Sequence, residues 1–571
     1  MEPLQKYTLK DLLERSAKNF PLTPALANLK GEKITYAIFY NRVQTVVRFL
    51  QNQGIAPGDK VALVSENMIN WPIAYFAVTS MGAVVVPILP DFHINEIKHI
   101  IRHAECKAVF CSGRFVDEIV EMKPRELLVI RLEDFKQVEQ GKKDILQDIL
   151  DWGEEGLDKM KKTAQELVGK KKSQQANIPD EHDLAAIIYT SGTTGNSKGV
   201  MLTHRNIVFD AVSTKKIITL TPEDRLLSIL PLAHTYECTI GLVTPLMYGA
   251  CIYYLDRPPT PMILVSALAK VRPTVMLSVP LVIEKIFKKR IQPEFHKNKF
   301  IELLYTRIPV IRKRLHKLAG KKLRKTFGGR LRFFGIGGAP LSPEVEAFLI
   351  EADFPYAIGY GLTETSPLVA GMGPQMRKFR STGPALDGVE IKIHEPNPET
   401  GEGEIWVRGD NVMLGYYKDP DRTREVLTED GWFKTGDLAY MDEDGYLFIK
   451  GRSKNVIVGP SGENIYPEQI EAVLNEFDCV LEALVYENQG KLVAKVYLDY
   501  DVLDERFHVK KLTEKEVREK VAARLEEIRQ QVNQRVSSFS RLQKIVEQTK
   551  PFERTPTQKI KRFLYVNEAL E

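Results

Sequence analysis

Twelve residues, Tyr189-Thr-Ser-Gly-Thr-Thr-Gly-Asn-Ser-Lys-Gly-Val200, combine hydroxyls, glycines and one cation in a pattern suited to holding an anion. The apolar run Leu184 to Tyr189 leads into them and reads as a buried strand. Gly192, Gly195 and Gly199 let the backbone approach a ligand closely, so that successive N–H groups can face one concavity. Thr190, Ser191, Thr193 and Thr194 add hydroxyl donors, and Lys198 adds a mobile positive charge. Together they describe a grip on a polyphosphate. A Walker A loop is excluded, because there the lysine follows the second glycine and precedes Ser or Thr. Here Lys198 precedes a glycine and the glycines stand closer together, which disfavours an ordinary P-loop kinase or ATPase.

Other candidate residues lie downstream. Tyr360-Gly-Leu-Thr-Glu-Thr365 follows a predicted strand over Phe354 to Ile358. A carboxylate flanked by two threonines behind an aromatic suits a Mg²⁺–nucleotide site, since Mg²⁺ takes few protein oxygens and leaves the rest to phosphate and water. Gly335-Ile-Gly-Gly-Ala-Pro340 follows the apolar run Leu331 to Phe334; alone it is only a glycine turn. Thr435-Gly-Asp437 alone reads as a structural turn, and the basic run Arg554 to Arg562 as a solvated segment. In Pro231-Leu-Ala-His234, with Tyr236 and Glu237 beside it, no Ser or Cys pairs with the histidine as a nucleophile, which argues against a hydrolase triad.

In chain order these motifs closely resemble those of the adenylate-forming (acyl-activating) superfamily, which includes acyl-CoA synthetases, firefly-type luciferases and the adenylation domains of peptide synthetases. The resemblance runs from about residue 8 to 565, and long-chain fatty acid–CoA ligase (AMP-forming) is the subgroup most similar. It implies an ATP/AMP site built from Thr190, Ser191, Gly192, Thr193, Thr194, Gly195, Lys198, Gly338, Ala339, Pro340, Gly359, Tyr360, Gly361, Thr363, Asp437 and Arg452. In that site Tyr360 would stack on adenine and Thr363 would meet the α-phosphate. Glu364 and Thr190 would serve the metal, and Asp437 would accept from both ribose hydroxyls. Arg452 would reach ribose or phosphate. The resemblance further implies that His234 lines the acyl or thiol path, that Lys454 is an inter-domain hinge, and that Lys559 is the catalytic lysine bridging carboxylate and α-phosphate. Thr363, Glu364 and His234 join it as catalytic residues. The superfamily usually has glycine before that lysine; here it is Gln558, a departure that leans the substrate toward long chains.

The elements that must position these residues read as α/β layers with a mainly parallel sheet. Helices are predicted over Leu9 to Phe20, Tyr40 to Gln53 and Trp71 to Met81, and strands over Lys33 to Tyr36, Val61 to Val64, Ala83 to Ile88 and Ala108 to Cys111. Asn70 to Pro90 carries no charge and is long enough to span a bilayer, but its prolines and central Thr79, Ser80 and Gly82 favour helix-then-strand over a membrane span. Residues 136 to 177 read as a polar, lysine-rich excursion. From Gly383 the texture changes to short strands and turns, with a linker from Gly451 to Pro460. Beyond it a helix is predicted from Pro467 to Phe477, strands near Glu482 to Tyr486 and Leu492 to Val496, and a helical stretch from Thr513 to Phe539. The expected architecture is a large N-terminal domain (1–452) of layered α/β subdomains with a distorted β-barrel-like part, followed by a small mobile C-terminal α+β domain (453–571).

The 571 residues, 43% hydrophobic and 27% charged, suit a globular protein with a large core. A net charge of +5 and the lack of any nucleic-acid motif exclude nucleic acid as the expected partner. Five cysteines without metal-ligand spacing suit a reducing compartment, and no apolar h-region follows the first residues, so a cytoplasmic location is expected. The basic block from Lys288 to Arg332 interleaves Phe300, Ile301, Leu303, Leu304 and Ile308. It reads as a solvated helical hairpin, as a contact with the anionic inner face of a membrane, or as a site for CoA. The expected reaction uses ATP, Mg²⁺ and CoA to convert a fatty acid to its thioester through an acyl-adenylate. An acyl carrier protein as acceptor, another hydrophobic acid as substrate, phosphoryl transfer and a silent nucleotide-binding protein are the alternatives. Homodimer formation stays open.

Overall fold

The computed structural model describes residues 4–122, 127–138, 178–190, 197–257, 259–459, 463–507, 512–555 and 559–566. Two eight-stranded sheets dominate it. One runs Gly415–Tyr416, Lys198–Thr203, Leu184–Thr190, Val84–Ile88, Lys60–Val64, Cys106–Cys111, Leu128–Arg131 and Lys136–Gln137. The other runs Leu368–Met372, Tyr356–Gly361, Phe333–Ile336, Val275–Ser278, Arg225–Ser228, Cys251–Tyr254, Pro24–Asn28 and Lys33–Thr35. The strands from Leu184–Thr190 through Leu128–Arg131 in the first sheet and from Tyr356–Gly361 through Pro24–Asn28 in the second are parallel, so loops and side chains gather at their carboxyl ends, where open α/β sheets bind ligands.

Where a distorted β-barrel-like part was expected, the described residues form an open antiparallel sheet of Val389–His394, Gly403–Gly409, Phe433–Met441 and Leu447–Arg452. The smaller C-terminal domain packs Pro467–Leu474 and Glu514–Arg535 on a sheet of Val480–Asn488, Lys491–Leu498 and Lys544–Gln548. The apolar cores divide the same way. Three buried clusters draw on residues up to Leu447, and two others only on residues from Ile465 onward.

The helix expected from Tyr40 starts four residues earlier, at Tyr36. Thr35 caps it by accepting from the Ile38 N–H at 3.3 Å, which satisfies an orphan donor of the first turn. The uncharged stretch forms a helix, Asn70–Ser80, and a strand, Val84–Ile88. Every residue from Trp71 to Ser80 is buried, so this helix is apolar on all faces because core surrounds it. Among the described residues no helix is long and apolar enough to cross a membrane. The expected linker is partly structured: Gly451 and Arg452 finish a strand, and Ser453–Asn455 make one 3₁₀ turn. Of the lysine-rich excursion, residues 139–177 lie outside the described residues.

The strand Tyr356–Gly361 delivers Thr363 and Glu364 through a tightly closed loop. The Leu362 N–H donates to Thr365 Oγ1 at 3.0 Å, and Thr365 Oγ1 donates to the Pro367 carbonyl at 2.6 Å. A Cβ on Gly361 would stand 1.8 Å from that same carbonyl oxygen. Gly361→Ala is therefore expected to lower stability by about 3 kcal/mol, the scale of forced overpacking against backbone. Urea denaturation of both proteins measures it, and equal midpoints would contradict the packing described.

Candidate active site

Lys198 opens the strand Lys198–Thr203, which returns antiparallel to Leu184–Thr190 with Lys198 opposite Thr190. The polyphosphate grip expected at 189–200 is thus the mouth of a β-hairpin; its Ser191, Gly192, Thr193, Thr194 and Gly195 lie outside the described residues. Lys198 Nζ donates to Glu364 Oε1 at 2.7 Å and to Tyr416 Oη at 2.6 Å, and Tyr416 Oη donates to the same carboxylate oxygen at 2.9 Å. Nζ also stands 4.3 Å from the Tyr416 ring centroid, in cation–π range. Burial pushes the Glu364 carboxyl up, but Lys198 and Tyr416 outweigh it and hold the group below the ordinary glutamate value.

A second knot lies across the cleft. Asp437 pairs in register with Arg452 between the strands Phe433–Met441 and Leu447–Arg452. Arg452 Nε reaches Asp437 Oδ1 at 2.7 Å, and Tyr360 Oη donates to Asp437 Oδ2 at 2.7 Å. The turn before it fits the structural reading as well, since Thr435 Oγ1 accepts from the Asp437 N–H at 3.1 Å. Asp437 is 5% exposed, and burial raises its carboxyl pKa despite Arg452 and Tyr360.

Lys559 comes from the C-terminal domain into this cleft of about 3940 Å³, which Lys198, Tyr360, Thr363, Glu364, Asp437 and Arg452 also line. Water reaches the side chain, yet protein crowds it enough to depress its ammonium pKa. Repulsion from Arg452 and Lys198 adds to that, against attraction to Asp437 and Glu364. His234 is in range of Lys559 too. Burial first, then that lysine, brings its pKa down to about 4, so the ring is neutral at pH 7, and its Nδ1 accepts from the Tyr236 N–H at 3.3 Å.

Gly338, Ala339, Pro340, Gly359 and Gly361 line the same cleft. A Cβ on Gly335 would stand 2.8 Å from Leu277 Cδ2 and 3.0 Å from Tyr236 Oη, and one on Gly337 3.3 Å from the Tyr236 ring, so Gly335 makes room for Leu277 and Tyr236, and Gly337 for Tyr236. Lys454 is exposed on its 3₁₀ turn. Tyr416 escaped the sequence reading, because the strand Gly415–Tyr416 is two residues long and reaches Lys198 only by pairing with Val200 and Met201. For a divalent cation the cleft offers the Glu364 carboxylate and the Thr190 hydroxyl, which is buried and finds no hydrogen-bond partner among the described residues. Two hard oxygens with space for phosphate and water fit Mg²⁺.

The arrangement can bind a polyanion, orient a diol and an aromatic base, and bring a mobile ammonium to a reacting anion. Residues 13–417 match the family described as AMP-binding enzyme. A Drosophila melanogaster protein named long-chain-fatty-acid–CoA ligase heimdall is 30% identical over 500 residues, covering 82% of this chain and 72% of its own. Long-chain-fatty-acid–CoA ligase 1 of Cavia porcellus is 30% identical over 535 residues, covering 87% and 74%. Among solved structures, the ATP-bound RpMatB-BxBclM chimera B1 superposes with a TM-score of 0.75 at 25% identity over 98% of both chains.

Long-range proton–nitrogen NMR on the imidazole checks the electrostatics of the site. His234 is expected to titrate near pH 4 and to be neutral at pH 7; a midpoint near the ordinary histidine value would contradict the burial described.

Proposed function

The chain belongs to the AMP-binding enzyme family, and on that footing we propose that it is an ATP-dependent long-chain fatty acid–CoA ligase releasing AMP and pyrophosphate. The observation that carries the reading is Lys559 lying within charge range of Lys198, Glu364, Asp437 and Arg452. A carboxylate is a poor electrophile, since its leaving group would be oxide. Attack of its oxygen on the α-phosphorus of ATP forms an acyl–O–P bond, breaks the bond to the β-phosphate and expels pyrophosphate. The thiolate of CoA then attacks the acyl carbonyl and AMP departs.

The protein contributes position and charge. Lys198 and the hairpin mouth hold the outer phosphates, with Ser191 to Gly195 completing the grip. Thr363 meets the α-phosphate, and Asp437 accepts from the ribose hydroxyls. The Tyr360 ring, its hydroxyl tied to Asp437, stacks on adenine beside Gly338, Ala339, Pro340 and Gly359. Arg452 reaches ribose or phosphate, and Lys559 offsets repulsion between carboxylate and phosphate. Glu364 and Thr190 would hold Mg²⁺, which would supply further neutralisation of phosphate charge. His234, neutral, lines the path for acyl group and thiol. Between the two steps the C-terminal domain, residues 453–571, turns on Lys454 and withdraws Lys559. The division of the apolar cores and the exposed 3₁₀ turn support that hinge, since a hinge needs only residues whose dihedrals can absorb rotation. Lys559→Ala should cut acyl-adenylate formation at least about a hundredfold, the scale for removing one transition-state charge contact, while thioester formation from supplied acyl-adenylate changes far less. Equal loss of both half-reactions in a quenched assay would overturn the role. Parallel assays with CoA and with an acyl carrier protein identify the acceptor.

The acid is met at an anionic membrane face, on this reading, from a cytoplasmic location that five unpaired cysteines support. The basic block folds as Lys299–Arg307 and Pro309–Thr326, with Phe300 65%, Val310 60% and Leu318 63% exposed beside exposed Lys313, Arg314, Lys317 and Lys321. Arg312, on the same helix, is paired instead: its guanidinium holds Glu351 at 2.8 and 3.2 Å. Reversing the charge of Lys313, Arg314 and Lys317 should weaken sedimentation with phosphatidylserine vesicles more than about tenfold, each basic residue near the surface contributing about 1 kcal/mol. Unchanged binding would refute the attachment.

A further inference from the structure

The part of the cleft beside His234 contains a chain of hydrogen bonds that ends in an unpartnered buried oxygen. The Leu232 N–H donates to Asn67 Oδ1 at 2.9 Å, which fixes the amide so that Nδ2 donates to Ser228 Oγ at 3.0 Å and to the Leu230 carbonyl at 2.7 Å. Ser228, thus supplied, donates to Glu237 Oε1 at 2.6 Å. Glu237 is 2% exposed, and its Oε2 is buried with no hydrogen-bond partner among the described residues. Tyr254 is 1% exposed, and its hydroxyl is likewise buried and unpartnered among them. It stands opposite Ser228 in the parallel pairing of Arg225–Ser228 with Cys251–Tyr254, so the two side chains share a face at the carboxyl ends of their strands. All four residues line the cleft. A Cβ on Gly241 would come within 2.8 Å of the Glu237 carboxyl carbon, so the glycine one helical turn on makes room for this acid.

An ionised carboxylate here would face no cation, and burying one is costly. Burial brings the Glu237 pKa up to about 8, against the pull of Ser228, so the group is mostly protonated at pH 7. Its Oε1 already accepts from Ser228, which leaves the proton on Oε2. Glu237 and Tyr254 therefore hold two O–H donors without acceptors just behind the cleft wall, and orphaned buried donors carry a penalty that a plain alkyl chain cannot relieve.

Building on the ligase reading, we propose that Glu237 and Tyr254 form a polar subsite that selects fatty acids carrying an uncharged acceptor oxygen, a ketone or hydroxyl, along the chain. Sites that hydrogen-bond a substrate oxygen discriminate strongly against the analogue lacking it.

The test compares a saturated long-chain acid with the same acid bearing one mid-chain ketone or hydroxyl, at several chain positions, by AMP release. The wild-type protein should favour at least one oxygenated acid in kcat/KM by about tenfold or more. Tyr254→Phe and Glu237→Leu should each cut that ratio severalfold or more, while Glu237→Gln, which retains an N–H donor, should preserve most of it. If Glu237→Leu fails to fold, Tyr254→Phe alone decides. A wild-type preference for the plain acid throughout, or a ratio that Tyr254→Phe leaves unmoved, overturns the subsite and leaves the ligase intact. AMP release with no acid at all overturns the ligase reading itself.

Discussion

Lys559 lies within charge range of two cation–carboxylate pairs in the cleft, and the surrounding fold serves to hold that balance. Lys198, Arg452 and Lys559 face Glu364 and Asp437 at the meeting of two domains. Each carboxylate is held by a cation from its own domain, Glu364 by Lys198 and Asp437 by Arg452, both at 2.7 Å. Among the described residues Lys559 has no such close partner, and it stands on a chain segment that belongs to the other core. A charge left over in a partly desolvated cleft is what a polyanion needs, because attraction there is screened far less than in bulk water.

The two ion pairs depend on different kinds of architecture. Lys198 and Glu364 come from different eight-stranded sheets, and Tyr416 fastens them from a third chain segment. Asp437 and Arg452 are neighbours on adjacent antiparallel strands, so one hairpin positions both. The first pair therefore depends on how the large subdomains pack, while the second travels with a small sheet close to the boundary between domains.

What the sequence made legible was local. Short stretches rich in glycine and hydroxyls pointed directly to Lys198 and Glu364, whereas Asp437, Arg452 and Lys559 came only through the family resemblance, because their own stretches read as a plain turn and a solvated basic run. The alternating strands and helices were equally readable, as the buried helix Asn70–Ser80 and its following strand illustrate. Interactions closed by tertiary pairing were silent. Tyr416 lies 218 residues from Lys198, and nothing near it distinguishes it from any other tyrosine. Arg312 looked like one more charge of a basic helix until Glu351 claimed it. Glu237 was visible beside His234, but its donor chain depends on Asn67, 161 residues from Ser228. Caps such as Thr35 moved boundaries by a turn, because one hydrogen bond outweighs a weak periodicity.

The central claim is that an acid's oxygen attacks the innermost phosphorus of ATP. It is tested most directly by supplying a long-chain fatty acid labelled with oxygen-18 in its carboxyl group, together with ATP, Mg²⁺ and CoA, and weighing the nucleotide product. The account predicts AMP carrying one labelled oxygen, with pyrophosphate unlabelled. Unlabelled AMP, or ADP with phosphate in its place, would contradict it.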